Sequence, residues 1–144
     1  MKLTTLLLVV GALFMAGGAA QAEEPFRVFV SLTMDQTKQI KDIQKKYRKP
    51  FAAKRQELNK ELRALRRAKI ASDSAALARQ EKITARLRDE LRAIRAKENA
   101  ELRAVLTPEQ RPAFDEVVER QKATYGGTDD ERETFPIVFA KPRT

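Results

Sequence analysis

The pattern Leu-Thr-x-x-Gln occurs twice in this chain, at residues 32–36 and again at residues 106–110. Each copy is typical of a helix start, because a threonine at the N-cap accepts a backbone N–H of the first turn. The glutamine three residues later can reach back to the N-cap N–H and complete a capping box. The repeat therefore predicts two helices that begin alike. The residues with these roles are Leu32, Thr33, Gln36, Leu106, Thr107 and Gln110.

The first 22 residues have the pattern of a secretory signal. Lys2 supplies the positive start, residues 6–20 form an uninterrupted apolar run, and Ala20-Gln21-Ala22 has the small-x-small form of a cleavage site. The run is shorter than the roughly 20 residues that cross a bilayer. We therefore expect cleavage after Ala22 and an exported protein, with retention of the segment as a membrane anchor as the alternative.

Apolar spacing between the two motif copies predicts an all-α fold built on an elongated helical hairpin. Leu58 and Leu62 on one side of a Ser-Asp-Ser turn sequence, and Leu87 and Leu91 on the other, have heptad-like spacing. Pro50 disfavours helical backbone at the residue before it, so a break is expected there. Short helices then flank the hairpin, giving four helices over residues 34–48, 51–71, 74–105 and 108–124.

The remaining segments complete the expected domain organisation. Residues 23–31 read as an extended lead-in, and residues 32–125 as the helical domain that contains both motif copies. Residues 126–144 begin with acids and end in an apolar patch, so we expect a flexible tail whose apolar part could dock. The apolar content suits a thin layer that completes its burial by forming a homodimer.

Positive charge is concentrated between the motif copies. The chain carries a net charge of +9, and between Lys38 and Arg103 there are 21 Lys and Arg against 9 Asp and Glu. Arginines repeatedly follow the apolar residues of the seam, by which we mean the stripe through which the hairpin helices are expected to pack. Each of these arginines therefore lies beside the apolar face. Such a surface could hold flexible polypeptide, or the arginine stems could simply cover the seam while their heads stay hydrated. The candidate client-binding residues are Arg63, Arg66, Arg67, Arg88, Arg92, Arg95 and Arg103.

Catalytic chemistry has little support in the sequence. The chain has no His and no Cys, which removes the commonest general base, the soft metal ligands and the thiol nucleophile. No glycine-rich phosphate loop or nucleophile-elbow serine is found. The acidic cluster at residues 129–133 lacks the ligand spacing of a calcium loop. We expect a protein that is not an enzyme and uses no cofactor and no metal.

The basic charge also suits an anionic partner. A sequence pI near 10.0 is the electrostatic footprint of a nucleic-acid-binding protein. The export signal and the scarcity of aromatic residues in the basic region argue against that partner. An envelope surface rich in anionic lipid or polysaccharide is the better match, with membrane contact only through that anionic surface.

The two motif copies, the signal and the basic helical body together resemble the Spy and CpxP family of bacterial periplasmic proteins. The resemblance covers residues 31–122. It implies an antiparallel, cradle-shaped dimer of four-helix chains. Spy-like members are ATP-independent chaperones that bind unfolded proteins, and CpxP-like members also restrain an envelope-stress sensor kinase. Metal-sensing relatives use His-rich sites, and this chain departs from them because it has no His.

The predicted function is therefore that of an ATP-independent periplasmic chaperone, which holds unfolded or misfolded polypeptide through a mixed basic and apolar helical surface. One alternative is a periplasmic adaptor that regulates a sensor kinase by binding its periplasmic domain. The other is a polyanion-binding envelope protein.

Overall fold

A computed structural model of the protein describes residues 26–125 and 136–142. In chain order these residues form strand β1 (Arg27–Phe29), helix α1 (Met34–Ile70), helix α2 (Ser74–Val105), helix α3 (Arg111–Tyr125) and strand β2 (Val138–Ala140). The predicted all-α class is confirmed in its main part, with a small two-stranded sheet added to it. The signal at residues 1–22, and the acidic cluster at residues 129–133, lie outside the described residues.

Helices α1 and α2 form the long antiparallel hairpin that the sequence predicts. Lys46 pairs with Glu101 and Lys54 with Glu90. Residue numbers therefore increase along α1 while those of the facing residues of α2 decrease, as in an antiparallel pair. Leu58 is fully buried where the two helices pack at the middle of the hairpin. The expected dimer of this hairpin stays a prediction.

The predicted helix break at Pro50 is wrong, because α1 runs through it as one helix of 37 residues. The described part of the chain therefore contains three helices, where four were expected. A proline inside a helix removes one hydrogen bond and costs about 3 kcal/mol. Pro50 is exposed, so the carbonyl of Lys46 that loses its donor can bond to water. Continuous packing of α1 on α2 on both sides of Pro50 offsets the remaining cost.

The hairpin tip closes through a tight cap. Ser72 adopts a positive φ of 54°, the left-handed conformation that commonly ends a helix. The Asp73 N–H donates to the Ala68 carbonyl at 3.1 Å, and the Ser72 N–H donates to Lys69 at 3.2 Å. The Asp73 side chain then caps α2 by accepting from the Ala76 N–H at 2.9 Å. These bonds satisfy two of the last carbonyls of α1 and one of the first N–H groups of α2 within nine residues, from Ala68 to Ala76.

The hydrophobic core divides into two clusters. The smaller one lies midway along the hairpin and contains Leu58, Leu87 and Leu91. The larger one lies at the open end, where α3 and the two strands cover the start of α1 and the end of α2. Its buried members are Val28, Ile40, Leu102, Leu106, Phe114, Val117 and Ile137.

The two strands pair in parallel, with Val28 opposite Phe139. The Phe139 ring stacks on Phe114 of α3 at a centroid distance of 5.9 Å, and Ile137 is 1% exposed. The sequence predicts a flexible tail from residue 126 with an apolar part that could dock, and Ile137 and Phe139 of that part pack in the open-end core. Their apolar side chains complete the open-end core, and pairing with β1 satisfies the backbone groups of β2 that face it.

Helix α3 begins at Arg111, three residues later than the sequence predicts. Residues 108–110 form a turn in which the N–H groups of Gln110 and Arg111 both donate to the Thr107 carbonyl, at 3.0 and 3.1 Å. Pro112 then falls in the first helical turn, where a backbone N–H has no partner inside the helix and its absence is tolerated.

Candidate functional site

The first motif copy starts α1 with a complete capping box. The Gln36 N–H donates to the Thr33 hydroxyl at 3.1 Å, and the Thr33 N–H donates to Gln36 Oε1 at 3.0 Å. The second copy makes the matching back-bond, in which the Thr107 N–H donates to Gln110 Oε1 at 3.0 Å. The glutamine of each copy therefore accepts from the threonine of the same copy.

The two motif glutamines also bond to each other. Gln36 Nε2 donates to Gln110 Oε1 at 2.8 Å, and Gln110 Nε2 lies 3.4 Å from Gln36 Oε1. Each amide has one further partner, because Gln36 Nε2 donates to the Val105 carbonyl at 3.1 Å and Gln110 Nε2 donates to the Ser31 carbonyl at 2.6 Å. Both amides thereby use all of their donors and acceptors. This glutamine junction ties the starts of α1 and α3 and the end of α2 together.

The sequence predicts that each glutamine caps its own helix, and it does not predict their mutual contact. The one available signal is that both copies end in an amide, the only common side chain that donates and accepts at once in a planar pair. The motif leucines lie nearby. Leu106 is 2% exposed in the open-end core, and Leu32 packs against the same cluster. They are buried within the chain itself, whereas the sequence left contact across a dimer open.

The seven candidate arginines are spread from the hairpin tip to the end of α2 and differ in burial. Arg63, Arg66 and Arg67 are exposed near the hairpin tip, and Arg63 Nε donates to the Asn59 carbonyl at 3.3 Å. Arg88 and Arg92 are half-buried on α2. Arg92 pairs with Asp89 at 3.1 Å, on the same helix. The basic stripe of the sequence is thus divided along the hairpin.

Arg103 and Arg95 have structural partners. Arg103 makes two bonds to the carboxylate of Asp115 on α3, at 2.7 and 2.9 Å. These bonds lower the pKa of Asp115 and raise that of Arg103 from their ordinary values. Arg95 is 7% exposed and forms an ion pair with Glu98, which is 3% exposed. Its guanidinium lies 4.3 Å from the centre of the Phe51 ring on α1.

Burial is the main cause of the pKa shifts of Arg95 and Glu98. It lowers the pKa of the Arg95 guanidinium and raises the pKa of the Glu98 carboxyl, while each partner opposes the shift of the other. Glu98 thus lies in the seam between the helices, where Arg95 compensates its charge. The Arg95 guanidinium thus contacts Glu98 and Phe51 inside the protein, and its role in client binding stays a prediction.

An apolar groove lies between the first half of α1, the middle of α2 and β2. It has a volume of about 690 Å³, and Ile40, Phe51 and Ile137 are among its apolar lining residues. The Arg95–Glu98 pair also lines it. This basic-rimmed groove, as we call it, carries three exposed cations that make no ion pair with the residues the structure describes. They are Lys41, Arg48 and Lys141.

The described residues contain neither an acidic metal-binding cluster nor a membrane-spanning helix. Within residues 26–125 and 136–142, no three acidic side chains come together in a way that could hold a metal ion. No helix in the same ranges is both long and apolar enough to span a membrane.

The fold and the glutamine junction define a class of helical-hairpin proteins in which two Leu-Thr-x-x-Gln helix starts are joined at one end. Residues 28–118 match the model of the LTXXQ motif family, over a range that runs from β1 to α3 and includes both copies. The chain belongs to this family, which confirms the predicted resemblance to Spy and CpxP. Comparisons with curated proteins and with solved structures gave no match.

Proposed function

We propose that this protein is an ATP-independent, chaperone-like protein of the periplasm, which holds unfolded polypeptide through a mixed basic and apolar surface. The observation that carries the proposal is the basic-rimmed groove. Unfolded chains differ from folded ones in exposing apolar side chains and free backbone. The groove offers an apolar wall beside cations that make no ion pair with the described residues. Family membership supports the periplasmic location and export by the N-terminal signal.

Capture in such a groove combines two effects of different range. Lys41, Arg48 and Lys141 attract acidic segments over about a Debye length, roughly 8 Å at physiological ionic strength. The apolar wall then retains the segment by removing its side chains from water, at about 25 cal/mol per Å². Added salt should therefore slow capture more than it weakens retention.

The central test measures aggregation. A chemically denatured model enzyme is diluted into buffer with and without the mature protein, and light scattering is followed over time. A stoichiometric amount of the protein should delay aggregation in the absence of ATP. Unchanged scattering would refute the chaperone function. If the protein then binds one folded sensor domain instead, the adaptor function takes its place.

Charge variants locate the capture surface. One triple variant, Lys41→Gln, Arg48→Gln and Lys141→Gln, removes three charges from the groove rim. A second, Arg63→Gln, Arg66→Gln and Arg67→Gln, removes three from the hairpin tip. The matched control is Lys60→Gln, Lys82→Gln and Lys97→Gln, at exposed positions outside both surfaces.

The groove variant should slow capture several-fold relative to the control, with unchanged helicity by circular dichroism. A loss confined to the tip variant would move the site to the arginines of the hairpin tip. Equal losses of capture rate in all three variants would mean that capture depends on the net charge of the protein and not on the position of the cations.

A further inference from the structure

Among the described residues, strand β2 has a partner strand at one of its backbone edges and none at the other. Val138 and Ala140 point towards β1, because the Val138 N–H donates to Phe26 at 3.0 Å and the Ala140 carbonyl accepts from Val30 at 3.2 Å. Successive residues of a strand direct their N–H and C=O groups to opposite edges. The N–H and C=O of Phe139 therefore point away from β1, which is the one strand that pairs with β2 within residues 26–125 and 136–142.

The free edge of β2 faces the basic-rimmed groove. Ile137 shares that edge with Phe139, and its carbonyl accepts a bond from Gln44 Nε2 of α1 at 3.4 Å. Gln44 and Phe139 both line the groove. The Gln44 side-chain amide thus stands where a peptide group of a third strand would donate. One carbonyl of the edge is used in this way, and the peptide groups of Phe139, which lines the groove, have no hydrogen-bond partner among the described residues.

We propose that the groove binds an extended polypeptide segment as a third strand on the free edge of β2. The segment it fits alternates apolar and acidic residues, since one face would meet the apolar wall and the other the cations Lys41, Arg48 and Lys141. Main-chain hydrogen bonds would give affinity that is independent of the client sequence. The side-chain contacts would give a preference for segments that alternate apolar and acidic residues. This inference rests on the proposed function and specifies the kind of client segment it recognises.

A defined peptide tests the inference directly. The probe is a fluorescein-labelled, end-capped eight-residue peptide of alternating valine and glutamate, and its binding to the mature protein is followed by fluorescence anisotropy. Amide hydrogen exchange is then measured by NMR at saturating peptide. The Phe139 amide should become protected at least tenfold, because it acquires an acceptor on the bound strand. Unchanged exchange at Phe139 with the peptide bound would overturn the proposal.

Two variants isolate the backbone donor. Phe139→Pro removes the outward N–H but no bond to β1, as a proline at a strand edge can. Phe139→Ala also removes the ring that stacks on Phe114 but keeps the N–H, so it is the matched control. Phe139→Pro should bind the peptide at least tenfold more weakly than Phe139→Ala. Equal affinities would refute strand addition.

The outcomes separate this inference from the proposed function. Delayed aggregation together with an unprotected Phe139 amide would leave the chaperone function in place and remove strand addition. A valine and lysine peptide of the same length should bind more weakly than the glutamate peptide. Equal binding of the two peptides would remove the acidic preference from the proposal.

Discussion

The glutamine junction predicts a specific cost for replacing Gln36 by glutamate. A glutamate at the third helical position still accepts from the Thr33 N–H, so the capping box survives. It cannot donate when ionised, and the bonds from Gln36 Nε2 to the Val105 carbonyl and to Gln110 Oε1 are both lost. The substitution thus removes both bonds that Gln36 donates within the junction and leaves the helix start intact.

The magnitude follows from these two bonds. Each hydrogen bond contributes about 1 kcal/mol, and a buried carbonyl left without a donor adds about 1 kcal/mol or more. Gln36 is 9% exposed, so water replaces the lost donors poorly. Gln110 can rotate its amide towards the new carboxylate only by giving up Ser31 and Thr107. We expect Gln36→Glu to lower the free energy of unfolding by about 2–4 kcal/mol.

Urea unfolding followed by circular dichroism measures this loss. The matched control is Gln39→Glu, which makes the same chemical change on the same helix at an exposed position. The control should change the free energy of unfolding by less than about 0.5 kcal/mol. A double-mutant cycle with Gln110→Ala should give a coupling energy of at least about 1 kcal/mol. Equal stability of Gln36→Glu and Gln39→Glu would refute the reasoning.

Three further predictions concern other parts of the hairpin. Ser72→Gly should raise the free energy of unfolding by about 0.5–1 kcal/mol in urea titration, because glycine adopts the positive φ of that turn without strain. Arg95→Met should cost about 3–5 kcal/mol by leaving the Glu98 charge buried and unpaired, whereas adding Glu98→Leu should recover most of the loss. A double variant as unstable as the single one would contradict this. Because Arg103 lowers the pKa of Asp115, their ion pair is present at neutral pH and its stabilisation is lost as pH falls through that lowered pKa. Melting temperatures measured between about pH 2 and pH 6 should fall less steeply on acidification in Asp115→Asn than in the unaltered protein, and identical slopes would exclude the contribution.

Local features of the fold were predictable from the sequence, because their causes lie within a few residues. The capping box of Thr33 and Gln36 and the turn before α2 need only neighbouring groups. The break at Pro50 was predicted wrongly, because the cost of a proline is local while the packing that offsets it comes from α2. The bond between Gln36 and Gln110 joins residues 74 positions apart, and no local pattern specifies it.

The arginine surface shows the same limit. Spacing places Arg95 and Arg103 beside the apolar seam, as the sequence predicts. It does not reveal that Phe51 and Glu98 enclose one of them and that Asp115 of α3 holds the other. The basic-rimmed groove also depends on β2, whose contact with β1 joins the two ends of the described chain. Both features arise from tertiary contacts that periodicity does not encode.

The glutamine junction also gives the hairpin unequal ends. The open end has the junction, the larger core cluster and the sheet. The tip has a single turn, and Ile70 beside it is 86% exposed. Local opening takes place where buried contacts are fewest. Hydrogen exchange should therefore be fastest at the tip and slow progressively towards the open end, so that Arg63, Arg66 and Arg67 lie on the segment that unfolds and refolds while the rest of the chain stays assembled.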